Sequence, residues 1–528
     1  MQRVFGIETE YGITIDGVED VDVVAESIAI VRSYTSPDGD LNPEAALKWD
    51  YELEDPHQDA RGFRAQELLD GSDELDYFDQ DRARNLSFQE IKSDLVLSNG
   101  ARFYNDHAHP EYSTPECLRL ADLVAQDKAG ERILEECARR RNREISAGRV
   151  KLYKNNTDFN GHSYGCHDNY LMKRSVPFER IVEGLMPFLV TRQIYAGAGK
   201  VGIEGETFRP GAFQLSQRSD FFPVLVSIDT MSRRPIINTR DEPHADPKKY
   251  RRLHVIIGDA NMNEFATALK IGATTLAINL IENDDFPREF QLADPIAAIR
   301  SISRDPSHKW MVELKDGRSV SALDIQRAYL ARVKKESLGA DPETDWLIHQ
   351  WEILLDDLEK DPMRCVDRVD WLAKKWLLEL FIEAEKIPWE DPWLQSLDLE
   401  YHNVDRNESL YYELVRSSKV RRVVTDYQIG RAIFYPPLNT RAYFRGRCVD
   451  RFARAIHSVQ WDEVVFQTGN NSESSHQKAV SLRNVFDEAA VDKYNKAVDN
   501  ARSAEEVLEL LGMQTKQTHP EAQPQETT

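Results

Sequence analysis

Glu8 and Glu10 stand two residues apart in GIETEYG, a spacing that puts both carboxylates on one face of a strand, about 7 Å apart. Gly6 and Gly12 share that face, while Phe5, Ile7, Tyr11, Ile13 and Ile15 fall on the other. Two carboxylates this close repel each other unless something positive lies between or above them. A hard divalent cation answers that need, because Mg²⁺ prefers oxygen ligands and bridges to phosphates. The glycines would let a ligand approach the backbone.

The two-residue spacing returns elsewhere. In NGARFYNDHAHPEYSTPE, Arg102, Tyr104 and Asp106 share a face, and a His-Ala-His-Pro turn leads to Glu111. A cation, a phenol and a carboxylate in one row suit phosphate and metal binding beside a nucleophile or general base. The spacing of Asp106, His107 and His109 fits no zinc site. In YRRLHV, Arg252 shares a face with His254 and lowers its proton affinity, favouring the neutral imidazole that ligates metals. GHSYGCHDNYLM adds His167 and Asn169. Gln214, Ser216, Arg218 and Asp220 form a further row, as do Arg441, Tyr443, Arg445 and Arg447. Any one row fits a solvated strand face; together they describe a funnel for a metal ion and a nucleotide. The sequence has no Walker A loop, no kinase-like Gly-rich loop and no GxGxxG, so the nucleotide would have to lie on a sheet. Glutamine-synthetase-like carboxylate–amine enzymes use that solution, an analogy at the level of fold.

The elements that must hold these rows are mixed. Arg3 to Ile15 alternates as a strand, and Leu118 to Arg141 has helical spacing. Strand-like runs at Gly211 to Phe222, Ile236 to Arg240 and Leu253 to Gly258 precede a helical run at Asn263 to Ile281. Ala322 to Glu385 reads as several amphipathic helices rich in Trp and Leu. The fold class is α+β, an antiparallel sheet with flanking helices. Residues 1–430 are expected to form a large catalytic domain and 431–513 a small C-terminal one, with 514–528 a disordered tail. Residues 37–84 read as a long acidic insertion, anchored by Trp49, Tyr51 and Phe63.

Composition narrows the function. The 528 residues carry 90 acidic against 67 basic side chains, a net charge of −23. That balance disfavours a nucleic-acid binder or an anionic membrane surface as partner. Glu8 and Glu10 interrupt any signal-peptide pattern, and the longest apolar runs fall short of the ~20 residues a membrane helix needs. Five scattered cysteines without a CxxC pair point to reduced thiols in a cytoplasmic protein.

The segments GIETEYGI, NGARFYNDHAHPEYSTPE, LYKNNTDFNGHSYGCHDNYLM, FQLSQRSDFF, INTRDEPHADPKKYRRLHVIIGDANM, SRDPS and NTRAYFRG resemble the Pup-processing family, over nearly the whole chain. That family comprises the Pup–protein ligase and the deamidase/depupylase of Pup. The long insertion and the turn DHAHPEYS resemble the depupylase branch, although Ile7 of GIETE is what the ligase carries. The resemblance implies a glutamine-synthetase-like fold and ATP- and Mg²⁺-dependent hydrolysis of the isopeptide bond between Pup's C-terminal Glu and a substrate lysine. It also implies deamidation of a C-terminal Gln of Pup, with ligation by ATP hydrolysis as the alternative. It makes Pup and pupylated proteins the partners, with an indirect link to a bacterial proteasome or its ATPase. Carried over position by position, it makes Glu8, Glu111, His167 and His254 magnesium ligands, with Glu10 beside them, and Asp106 the catalytic aspartate, as nucleophile or as base. Tyr104, Ser113, Thr114, Asn169 and Arg252 match positions that hold ATP or its phosphates, and Gly6, Ile7, Glu8, Thr9 and Glu10 line the same cradle. Arg102 and Trp461 match nucleotide contacts of the ligase; Arg218, Arg441 and Arg445 are added from their rows. Insertion 37–84 is expected to gate Asp106. Arg139-Arg140-Arg141 and Lys248-Lys249 are candidate basic patches for acidic Pup.

Overall fold

The computed structural model describes residues 3–34, 49–51, 55–66, 86–205, 209–230, 233–468 and 476–513. The tail 514–528 and most of 37–84 lie outside the described residues.

Alternation of apolar and polar residues produces a six-stranded antiparallel sheet. Its strands are β1 (Phe5–Glu10), β2 (Leu95–Val96), β3 (Arg102–Asp106), β4 (His109–Ser113), β5 (Cys166–Lys173) and β6 (Tyr250–Val255). They lie in the order β6-β5-β1-β4-β3-β2, so β1 runs through the middle. Phe5, Ile7 and Thr9 of β1 are buried, and Gly6, Glu8 and Glu10 look out from the other face. Helix α1 (Val23–Arg32) packs on β3 and β4, and the short α2 (Phe88–Lys92) precedes β2. Helices α3 (Leu120–Arg141), α4 (Phe178–Thr191) and α5 (Glu264–Glu282) join the apolar face of the sheet in one core containing Phe5, Ile7, Leu120, Ile181, Leu253 and Phe265. Helix α5 is apolar nearly all round and correspondingly buried, and Asn263 caps it through the amides of Phe265 and Ala266. The Trp- and Leu-rich stretch forms helices at Ala322–Ser337, Pro342–Lys360 and Asp370–Glu385.

Three expectations change. Arg3 to Ile15 is two strands, because the chain leaves the sheet at Tyr11 and Gly12–Ile15 pairs with Val150–Tyr153 in a separate ribbon. A Cβ at Gly12 would collide with the Tyr164 hydroxyl, so this glycine serves packing rather than ligand approach. The row from Gln214 to Asp220 is broken as well: the strand Arg209–Gln214 ends there. Asp259 accepts from the Ser216 hydroxyl (3.0 Å) and the Gln217 amide (2.9 Å), drawing the chain into a 3-10 turn at Ser219–Phe221. Finally, Arg441–Phe452 is a helix, α6, so Arg441 and Arg445 sit one turn apart on one face and Tyr443 does not join them.

Beyond α6, a three-stranded sheet (Ile456–Val459, Glu463–Thr468, His476–Ser481) and helices Glu488–Asn500 and Ala504–Leu510 enclose a second core. Trp49 and Val96 insert into that core, so the C-terminal elements are knit to the N-terminal half. All five cysteines are buried thiols. Among the described residues, no helix is long and apolar enough to cross a membrane.

Candidate active site

Strand register brings the rows together. Across β1, Glu8 faces His167 of β5 and Ser113 of β4, Glu10 faces Glu111, and Gly6 faces Asn169. His254 pairs with Asn169, Tyr104 with Glu111 and Arg102 with Ser113. These side chains therefore share one sheet face, the floor of a cleft of about 500 Å³.

At one end, Glu8, His167 and His254 offer ligand atoms within 4.8 Å of one another. Burial opposes ionisation of Glu8, but His167, His254 and Arg252 hold it well below the usual carboxylate range. Burial, reinforced by Arg252, pushes His254 down to about 3, so its imidazole is neutral. Both His254 nitrogens are buried without a hydrogen bond, the nearer lying 3.4 Å from Glu8 Oε2. One carboxylate and two imidazoles, that of His254 with its nitrogens unclaimed, fit a divalent cation.

The other end is acidic. Glu10, Asp106 and Glu111 come within the same 4.8 Å. Burial, then the charges of Asp106, Glu8 and Glu10, push Glu111 well above the carboxylate range. Burial and Asp106 also raise Glu10. The Tyr104 hydroxyl donates to Glu111 at 2.7 Å, and Ser113 donates to it at 3.2 Å. Asp106 behaves oppositely: against burial, the Lys92 ammonium at 2.6 Å and His107 hold it below its ordinary value. Three crowded carboxylates, two of them raised, again fit a cation.

Beside the first cluster, Arg252 donates to Asn169 (2.9 Å) and Asn169 donates to Glu8 (3.0 Å), while Glu242 lies 3.2 Å from Arg252. Past Gly6 the cleft continues into a recess lined by Val4, Thr114, His244, Arg441, Trp461 and Val485. A Cβ on Gly6 would press within 3.2 Å of the Thr114 hydroxyl, so glycine keeps that floor flat. Thr114 in turn accepts the Ile7 amide at 3.0 Å. A flat floor between an aromatic wall and arginines fits a nucleoside with its phosphates toward the clusters.

Other expected residues are placed differently. The Thr9 side chain faces the core, 3.9 Å from Cys166 Sγ, and that of Ile7 is likewise in the core. Arg445 is wholly buried and donates to Glu116 (2.5 and 3.0 Å), the Gly100 carbonyl (2.7 Å) and the Trp461 carbonyl (2.9 Å). It therefore clamps α6 rather than facing phosphate. Arg441 reaches the same Glu116 at 2.6 Å, and the pair, against burial, holds that carboxyl down to about 2. Arg218 does line the cleft; burial and Arg234 lower it to about 10, and it donates to Ser163 and to the Ile256 carbonyl. Arg102 stacks between Trp49 (4.2 Å) and Tyr104 (3.9 Å) and bonds Asp94 (2.8 Å) and Tyr51 (2.6 Å). Of the insertion's aromatic anchors, Trp49 and Tyr51 hold, whereas Phe63 is half exposed. The described piece 55–66 is tied beside the cleft by Asp59, which accepts from Thr239 at 2.6 Å. Arg139, Arg140 and Arg141 are paired with Glu135, Glu136, Glu26 and Glu144, so that run is not an open patch, whereas Lys248 and Lys249 are exposed, Lys249 lying 3.5 Å from Asp246.

Sequence reasoning missed Lys92, Arg234, Arg240, Glu242 and His244, all on the cleft wall. Arg240, Glu242 and His244 repeat the two-residue spacing in NTRDEPHAD, a signal that was available. Lys92 carries no such signal.

An antiparallel sheet with acid and imidazole clusters on one face, a recess beside them and helices packed on the other face defines an α+β protein with its candidate site on the sheet. Residues 3–465 match the Pup-ligase protein family, and the chain belongs to it. It is 44% identical over 517 residues to the depupylase of Acidothermus cellulolyticus, covering 97% of this chain and 99% of that one. It is 45% identical over 474 residues to the Pup deamidase/depupylase of Mycolicibacterium smegmatis, covering 89% and 93%. The crystal structure of Pup in complex with its ligase PafA superposes with a TM-score of 0.74 at 32% identity, covering 94% of this chain and 92% of that one.

Proposed function

We propose that this chain is a depupylase and Pup deamidase. It hydrolyses the isopeptide bond between the side-chain carboxyl of Pup's C-terminal Glu and a substrate lysine, and converts a C-terminal Gln of Pup to Glu. Both reactions release an amine or ammonia from a γ-carbonyl, so one site serves both. The observation that carries the reading is the extent of similarity: depupylases align over 89–97% of the chain, whereas Pup–protein ligases at 42–45% identity align over 70–77%.

Glu8, His167 and His254 would hold one Mg²⁺, and Glu10 and Glu111 a second beside Asp106. Gly6, Ser113, Thr114, Asn169, Arg252, Arg441 and Trp461 would take ATP, or ADP with phosphate. Mg²⁺ held there, with Arg218 and Arg252 of the cleft, would supply the positive field that polarises the carbonyl and stabilises the developing oxyanion, and the nucleotide phosphates would help to hold the ions. Asp106 either attacks the carbonyl carbon, the acyl bond so formed being hydrolysed by water, or takes a proton from the water that attacks it. In both cases water supplies the new C–O bond, and the amine or ammonia leaves with the electron pair of the C–N bond and a proton. Arg218 faces the same space as a fixed cation. Pup and pupylated proteins are the partners, in the cytoplasm, with an indirect link to a bacterial proteasome or its ATPase.

The test incubates the protein with a purified Pup conjugate and Mg-ATP. Release of free Pup and free substrate is expected. Conjugation of free Pup without release would instead establish the ligase reaction.

A further inference from the structure

Lys92 belongs to none of the strand rows, yet its ammonium donates to Asp106 Oδ1 at 2.6 Å in the cleft. The element that carries it is unusual. Helix α2 has only five residues and buries none of them, so it adds nothing to a core. It is nevertheless held from several sides. Ser87 and Glu90 form a capping box at its start. Arg32 donates to the Glu90 carbonyl at 3.0 Å, and Phe88 packs edge-on against Tyr51 at 4.9 Å. Asn105, fully buried, donates to the Ile91 carbonyl at 3.1 Å. Two adjacent ties thus join the end of α2 to the end of β3, Ile91 to Asn105 and Lys92 to Asp106. The aliphatic stem of Lys92 leads its ammonium to 5.6 Å from the Tyr104 ring, leaving the side chain 16% exposed.

Asp106 needs such a tie. It ends its strand, its side chain can turn about both χ1 and χ2, and the carboxyl groups of Glu10 and Glu111 crowd it. We propose that Lys92 is the positioning residue for Asp106: by fixing Oδ1 it sets the direction in which Oδ2 meets the scissile carbonyl. The proposal rests on Asp106 being the reacting carboxylate. Misplacing a reacting group by about 1 Å costs about 100-fold in rate. The loss should fall on turnover, because Lys92 lies at the acidic end of the cleft and does not line the nucleoside recess.

The experiment compares Lys92→Gln, Lys92→Cys and Asp106→Asn on a purified Pup conjugate with Mg-ATP. For both Lys92 variants kcat should fall about 100-fold, with KM for the conjugate and nucleotide affinity within about threefold of the parent. Aminoethylation of the Lys92→Cys protein rebuilds an ammonium at the same reach, and most of the lost rate should return. The five native cysteines are buried, which directs the reagent to position 92. Folding should survive both changes because α2 buries nothing, and the recovered rate distinguishes positioning from mere structural damage. Near-parental kcat in Lys92→Gln, a loss confined to KM, or no recovery after confirmed aminoethylation would overturn the proposal. If Asp106→Asn still turns over, the reading of Asp106 itself fails. If Asp106→Asn is dead while Lys92→Gln is intact, only the role of Lys92 fails.

Discussion

The two ends of the cleft floor are built from one strand and behave oppositely. Glu8 and Glu10 are two residues apart on β1, yet Glu8 is held well below the carboxylate range and Glu10 is raised. Burial raises both, so the difference comes from what stands across the sheet. Strands β5 and β6 set His167, His254 and Arg252 around Glu8. Strands β3 and β4 set Asp106 and Glu111 around Glu10. The imidazole end sets Arg252 against Glu8, while the acidic end crowds three carboxylates that are offset by Lys92, His107 and Arg102 around Asp106 and by Arg218 and His167 near Glu10. Register, more than residue type, decides which carboxylate is ready for a cation and which is waiting for one.

The sharpest way to break this contrast is to remove charge at the acidic end where chemistry is assigned. Asp106→Asn should lower release from a Pup conjugate by about 10³-fold or more while leaving nucleotide affinity intact. Isothermal titration with nucleotide, set beside the cleavage rate, checks both halves; near-normal cleavage would remove Asp106 from the mechanism. Next in size, Glu8→Gln removes the carboxylate from the cluster of Glu8, His167 and His254. Cleavage should fall about 100-fold, and nucleotide affinity should fall in the presence of Mg²⁺ but hardly change in its absence. Equal losses with and without Mg²⁺ would argue that Glu8 contacts the nucleotide rather than an ion.

Much of this floor was legible because strand periodicity is strict. Glu8, Glu10, Arg102, Tyr104, Asp106, His167, Asn169, Arg252 and His254 keep the two-residue spacing in real strands, and the register then does the assembly. The same rule failed at Arg441 to Arg447, where the backbone is helical and only Arg441 and Arg445 come together, onto Glu116. It failed again past Gln214, where one buried acceptor, Asp259, bends the chain. Local spacing carries no trace of such long-range partners, and Lys92 is the extreme case. Its function depends on a helix held by Arg32, Tyr51 and Asn105, from three other segments.

A proton probe sharpens the contrast further. The folded pKa of Glu10 and Glu111 lies above the unfolded value. Their favourable contribution is thus present at low pH and lost as pH rises through the raised folded values. Glu8 has the opposite sign: its contribution holds above the unfolded carboxylate pKa and is lost only as pH falls through its lowered folded value. Above the ordinary carboxylate range the raised groups of the acidic end dominate, and Mg²⁺ binding there would displace protons. The rise in melting temperature given by Mg²⁺ should be larger at about pH 8 than at about pH 5, by about 2 °C or more. Glu10→Gln should flatten that dependence. A Mg²⁺ effect independent of pH would mean that the acidic cluster does not take the ion.

The smallest expected effect separates two roles for one phenol. Tyr104 is expected to contact the nucleotide, yet its hydroxyl donates to Glu111 at 2.7 Å. Burial and the charges of Glu111 and Asp106 push its own pKa well above 10, so it stays a donor at any working pH. Tyr104→Phe keeps the ring under the Arg102 guanidinium and removes only the hydrogen bond. A hydrogen bond to a charged group contributes about 1.5 kcal/mol, close to tenfold in rate if the carboxylate acts in the ionised form. Turnover should therefore fall about tenfold, and the Mg²⁺ concentration for half-maximal rate should rise, with nucleotide affinity unchanged. A drop in nucleotide affinity at constant Mg²⁺ dependence would place the hydroxyl on the nucleotide instead. The acidic end would then have one neutralising partner fewer than its geometry shows.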